Sequence, residues 1–231
     1  MNIDTSVVGI TIPQGAAKNI KRSTEMLWQD GGLPTAFQRC EYIESHGTEA
    51  ILLSHSPLDT DEVGISYFDL TSKSSQQSLF GVYDGINFVF AAMNASTLRI
   101  FVGGAVNIDR YTDHASVYFS YKNGKARIFG DLSVQEISYD RLPSSNIALF
   151  TQWNKTYFST AKASYKLEKF YGKLDGNYVY HLIPCYLKTA WNGIPAGTIG
   201  LYDLCGSISS NGTPFYTNEG TGAFTKGPDV T

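Results

Sequence analysis

Residues able to do chemistry are scattered in this sequence, and none recurs at a catalytic spacing. The four histidines, His46, His55, His114 and His181, form neither an H-x-H nor an H-x-x-x-H pair, the spacings that clasp a metal from one strand or one helix. There is no G-x-S-x-G nucleophile elbow, no Walker A phosphate loop and no G-x-G-x-x-G turn. Glycoside hydrolysis needs two carboxylates facing one cleft. No alternating E-x-D-x-x-E strand supplies them, so the chain reads as a non-enzyme, with a glycan-cleaving enzyme built from separate loops as the alternative. The densest acidic stretch is "DTDEVG", residues 59–64. Asp59, Asp61 and Glu62 could hold a calcium ion with loop carbonyls, but the EF-hand pattern is incomplete and a solvated turn explains the stretch as well. No other cofactor is implied.

Binding chemistry is better represented. Aromatic side chains on loops can stack against the apolar faces of sugar rings, and amides beside them can both donate and accept hydrogen bonds. Trp191 and Asn192 lie in "KTAWNGIPAG", Tyr83 and Asp84 in "VYDGIN", and Asp113 beside His114 in "RYTDHAS". These are the candidate ligand residues. The competing reading is that each aromatic plugs one end of a hydrophobic core.

The elements that must position them read as strands. Of the 231 residues, 13% are aromatic, with 15 Tyr and 13 Phe, a composition that suits pleated surfaces. From Phe37 onward, short apolar or alternating runs are separated by turn residues, at 40–44, 50–54, 63–70, 79–83, 87–93, 97–102, 116–121, 126–129, 147–153, 161–170, 178–186 and 198–204. "ASVYFSYKNGKARIFG" places Asn123-Gly124 between two such runs, a tight-hairpin signal. "AKASYKLEKF" puts Ala161, Ala163, Tyr165 and Leu167 on one face and Lys162, Ser164, Lys166 and Glu168 on the other. The expectation is an all-β, antiparallel jelly-roll β-sandwich over residues 35–231.

Residues 1–29 form a separate small unit, joined by a linker at 30–34. A β-type run at 7–12 is followed by Pro13-Gln14-Gly15, and then by "KNIKRSTEMLW", which fits either a helical face or two short strands. So small a unit buries too little surface to stand alone. Ile10, Ile12, Ile20, Leu27 and Trp28 would be its contacts with a partner. The formal net charge is −3 with no basic block, which argues against nucleic acid as a partner. No apolar run approaches the roughly 20 residues of a membrane helix, so no membrane insertion is expected. The start lacks a basic then apolar leader, and Cys40, Cys185 and Cys205 show no paired spacing, which fits reduced thiols in a cytosol.

"LPTAFQRCEYIESHGTEAILL", residues 33–53, resembles the opening of concanavalin-like, LamG-like domains of phage and prophage fibre and tail proteins. "IGLYDLCGSISSNGTPFYTNEGTGAFTKG", residues 199–227, is similar to their close, and "LIPCYL" to the strand before it. "GITIPQGAAKNIKRSTEMLWQ" resembles short leaders that precede such domains. Ala36 stands where Gly is usual, Cys40 where an apolar residue is usual, Glu49-Ala50 where Gln-Tyr is usual, and "GSISSNGTP" is a longer insert. The resemblance implies a virion component assembled in the bacterial host cytoplasm: a head or tail fibre subunit forming a homo-oligomer, dimer or trimer. Its N-terminal segment would anchor to capsid or tail proteins and its sandwich would bind host-surface glycan. A decoration domain without a ligand is the further alternative. Within the closing motif the expectation is a strand, a rim loop at 205–213 open to a partner at 207–212, and a last hairpin at 214–224. Gly220 and Gly222 would serve positive φ or close approach, and Asn218 a turn.

Overall fold

The computed structural model describes residues 33–57, 62–71, 77–94, 97–102, 105–108, 115–122, 124–129 and 134–231. These hold eighteen strands and no helix. In chain order they are β1 (Phe37–Arg39), β2 (Ile43–Glu44), β3 (Ile51–Leu52), β4 (Glu62–Phe68), β5 (Gln77–Tyr83), β6 (Phe88–Asn94), β7 (Thr97–Val102), β8 (Ala105–Ile108) and β9 (Ala115–Lys122). Then follow β10 (Lys125–Phe129), β11 (Val134–Ser138), β12 (Ala148–Leu149), β13 (Trp153–Asn154), β14 (Lys166–Leu174), β15 (Asn177–Leu187), β16 (Ile199–Asp203), β17 (Phe215–Thr217) and β18 (Thr225–Lys226).

An eleven-stranded sheet runs β11-β10-β9-β4-β14-β15-β16-β17, with β1 joined to β15, and β2 joined to both β14 and β18. A seven-stranded sheet runs β3-β12-β5-β6-β7-β8, with β13 on β5. Every strand pair is antiparallel except β13 on β5. The two layers make an antiparallel jelly-roll β-sandwich. Alternation sets the core: Ile65, Tyr67, Phe170 and Leu182 point inward from the large sheet, and Phe80, Val82, Val89 and Leu149 from the small one. Phe80 meets Phe170 at 5.3 Å across the layers. Each such ring or branched chain, fully buried, contributes about 1.5–3 kcal/mol. Phe150 sits at φ +66, a strained seat for a bulky residue, held by stacking on Tyr165 at 4.6 Å.

A second cluster lies on the outer side of β15 and β17. Phe37, Cys185, Leu187 and Phe215 are buried there, with Leu33, Ala36, Trp191, Ile194 and Tyr202 packed against them. Leu33, expected in the linker, thus packs with the sandwich.

Several local expectations need correction. The run at 147–153 divides into β12 and β13, because the chain turns at Phe150. In "AKASYKLEKF" the alternation is real, with Ala163, Tyr165 and Leu167 buried, but regular pairing starts only at Lys166. Within 40–44 only Ile43–Glu44 is a strand, and Cys40 makes an isolated bridge to Asp229. β1, β8 and β11 were not anticipated. No hairpin forms at 214–224: β18 pairs with β2, not β17. The sandwich is sealed there by its opening and closing motifs, which shields edges that would otherwise recruit other strands.

Candidate functional site

The closing motif builds a groove of about 450 Å³. Ile194, Pro195, Gly197, Thr198 and Ile199 form one wall, and Thr217, Asn218, Gly222, Ala223 and Phe224 the other. The two walls part because the β16–β17 ladder stops at Gly200↔Thr217, and no backbone hydrogen bond carries it on to Ile199 and Asn218. The chain turns instead toward the β2–β3 connection. Asn218 Oδ1 accepts the Ala50 and Gly220 amides at 3.0 and 2.8 Å, its Nδ2 donates to the Gly222 carbonyl at 2.5 Å, and the Glu219 amide donates to Ala50 O at 2.7 Å. Gly220 and Gly222 keep ordinary φ, and close approach is what they serve. A Cβ on Gly220 would enter the Thr48 carbonyl, and one on Gly222 the Glu49 carboxylate and Thr48 hydroxyl.

The groove is therefore apolar at Ile194, Pro195, Ile199, Ala223 and Phe224, hydroxylated at Thr198 and Thr217, and free of charged side chains. Thr198 Oγ1 donates to Pro195 O at 2.8 Å. Among the described residues Thr217 Oγ1 has no hydrogen-bond partner. Such a surface suits an uncharged, hydroxyl-bearing ligand with one apolar face.

The sequence candidates do not gather in one place. Trp191 lies beside this groove but packs edge-on against Phe37, centroids 5.1 Å apart. Asn192 and Gly193, at φ +47 and +80, form the tight turn in which Trp191 and Ile194 exchange backbone bonds of 3.0 and 2.8 Å. That Asn-Gly pair was a readable turn signal in its own right. Tyr83 donates to Gly85 O at 2.8 Å. Asp84 accepts the Ile86, Asn87 and Ser144 amides at 3.1, 2.8 and 3.1 Å, and these bonds, the Asn87 amide first and against a smaller effect of burial, hold its pKa down to about 2. Asp84 thus ties two loops together. Asp113, the calcium candidates Asp59 and Asp61, and the proposed contacts Ile10, Ile12, Ile20, Leu27 and Trp28 lie outside the described residues. Glu62 accepts the Tyr171 hydroxyl at 2.6 Å and pairs with Lys173 at 3.3 Å. Among the described residues no three His, Cys, Asp or Glu side chains converge.

The rim loop at 205–213 folds back on its own sheet. Ser209 Oγ and Asn211 Nδ2 donate to Phe215 O at 3.1 and 2.9 Å, and the Phe215 amide donates to Thr213 Oγ1 at 3.3 Å. These groups face outward from β17, so the loop caps the open edge of the large sheet. Sequence reasoning missed buried Asp203. Its Oδ1 accepts the His181 and Cys205 amides at 2.8 and 2.9 Å, while Oδ2 lies 3.7 Å from His55 Nε2, beyond hydrogen-bond reach. Burial pushes its pKa up, but His55, those amides and the Ser207 hydroxyl outweigh burial and lower it.

No protein-family model matches the chain, and no curated protein matches it. Among solved structures it is similar to the mouse laminin alpha1 chain, domains LG4-5, at 11% identity and a TM-score of 0.41, over 63% of this chain and 45% of that one. The chain thus spans under half the length of that structure, and its fold class rests on its own two sheets.

Proposed function

We propose that the chain is a structural subunit of a phage particle, a head or tail fibre component, whose sandwich grips a host-surface glycan in the groove between the Trp191 turn and the closing seam. The observation that supports binding is the uncharged, half-apolar groove left where β16 and β17 part. Sugar rings present one apolar face and a rim of hydroxyls, the complement of that lining. The particle role is supported by the likeness of the opening and closing motifs to fibre and tail domains. Ala223→Arg places a charged chain in the groove from an exposed position. It should abolish retention on host-surface glycan and adsorption of particles while leaving the melting temperature unchanged. Adsorption at the wild-type rate would overturn the groove reading. Particles whose copy lacks residues 1–29 should assemble without this protein, and its normal incorporation would overturn the anchor.

A further inference from the structure

The large sheet has another face, turned away from the core. Cys40, Phe170, Tyr180 and Leu182 point inward. Their strand neighbours Arg39, Lys169, Tyr171 and His181 therefore point outward. There Tyr178 stacks flat on His181, centroids 4.6 Å apart and planes 9° apart, and Tyr171 meets the two edge-on at 5.5 and 6.2 Å. Lys173 Nζ lies 4.8 Å over Tyr178 and 5.2 Å over Tyr171, and Lys169 Nζ lies 5.8 Å over Tyr171.

The cations on this face are short of anions. Lys173 has Glu62, which also holds the Tyr171 hydroxyl. Glu168 is turned to Ser66 at 2.5 Å. Among the described residues Lys169 has no carboxylate partner, and the Arg39 guanidinium makes no ion pair or hydrogen bond, its Nε being buried without an acceptor. A buried guanidinium donor left unmade is costly, and its planar fork matches an oxyanion. β1 and β14 share one edge of β15: Arg39 pairs with Cys185, and Lys169 precedes the Phe170↔Leu182 pair. The register thus brings both cations toward the aromatic stack.

We infer that this face is a second binding site, for an acidic saccharide, whose carboxylate or sulfate lies between Arg39 and Lys169 while its ring rests on the Tyr178–His181 stack. The site uses none of the groove residues and stands whether or not the groove binds. His181 reports on it. Burial, followed by Lys169, Arg39 and Lys173, lowers its pKa to about 4, against the opposing pull of Asp203; Tyr171 and Tyr178 also face it, and Glu62 holds the Tyr171 hydroxyl and Lys173. An anion seated among the cations cancels their field and moves that value up.

The test titrates the full chain at low salt with an oligogalacturonide, its methyl ester and inorganic sulfate, following heat and the His181 ring resonances. The acid should bind at least about tenfold tighter than the ester and raise the His181 pKa. R39Q/K169Q should lose about tenfold in affinity and abolish that rise, and K169Q alone, at a partly exposed position, should lose several-fold. Equal binding of acid and ester, unchanged affinity in the variants, or no binding of the acid overturns the proposal. Sulfate that binds as tightly as the oligosaccharide and shifts His181 as far makes this a site for a free anion and overturns the saccharide. Loss in Ala223→Arg with no loss in R39Q/K169Q locates binding in the groove alone.

Discussion

Glu49 tests how the opening motif folds. It is 1% exposed. One carboxylate oxygen accepts the His46 amide at 2.7 Å, the Thr48 amide at 3.2 Å and the Ser45 hydroxyl at 2.9 Å, and the other accepts the Thr48 hydroxyl at 2.9 Å. Burial pushes its pKa up, yet the His46 amide, the Thr48 hydroxyl and the nearby amides outweigh burial and bring it from 4.5 to about 2. A depressed carboxylate stabilises the native state above its unfolded pKa, and that stability is lost as pH falls through 4.5 toward 2. The drop, 4.5 minus about 2, is worth about 3 kcal/mol at neutral pH. By pH 3 the same linkage removes about 2 kcal/mol of it. Gln keeps one acceptor oxygen and the shape, so Glu49→Gln should fold, with a cost of about 2–3 kcal/mol at pH 7 that shrinks by about 2 kcal/mol at pH 3. Urea titrations of both proteins at the two pH values, at matched slopes, read this directly. A gap under about 0.5 kcal/mol at pH 7, or one that stays constant with pH, refutes the reasoning.

Gly222→Ala forces a Cβ against Glu49 and Thr48 and should cost about 1–3 kcal/mol by the same urea assay. Asn211→Ala removes the shortest of the side-chain bonds to Phe215 O and leaves that of Ser209; it should cost about 1 kcal/mol and give concentration-dependent larger species on size-exclusion chromatography. Trp191→Ala should cost about 2 kcal/mol of stability through the lost Phe37 contact and leave glycan retention intact; retention lost at unchanged stability would make Trp191 a ligand residue.

The sandwich was legible because its signals are local. Alternation in "AKASYKLEKF" acts over a few residues and recurs as the burial of Ala163, Tyr165 and Leu167, and the two runs flanking Asn123-Gly124 in the sequence pair as β9 and β10. Asp175-Gly176, at φ +50 and +78, turns β14 into β15 by the same chemistry. What stayed hidden depends on distant partners. β1 is three residues long and is a strand only because Phe37 reaches Leu187. Glu49 looks like a surface acid until the turn before it and Gly222 bury it. Arg39 and Lys169 are ordinary charges in sequence, and only the shared edge of β15 brings them to one face.

The groove and the seam have one cause. To seal the first motif against the last, Asn218 must leave the β16 ladder and take the Ala50 amide, and that departure opens the gap beside Ile199. Closure of the fold and opening of the groove are then two results of one side chain. Asn218→Ala removes three hydrogen bonds, to Ala50, Gly220 and Gly222, and should cost about 2–3 kcal/mol. It should also weaken glycan retention, because the wall formed by Thr217, Gly222 and Phe224 loses its anchor. Ala223→Arg, by contrast, should remove retention at full stability. If Asn218→Ala lowers stability and leaves retention untouched, the groove wall does not depend on the seam, and the shared cause is wrong.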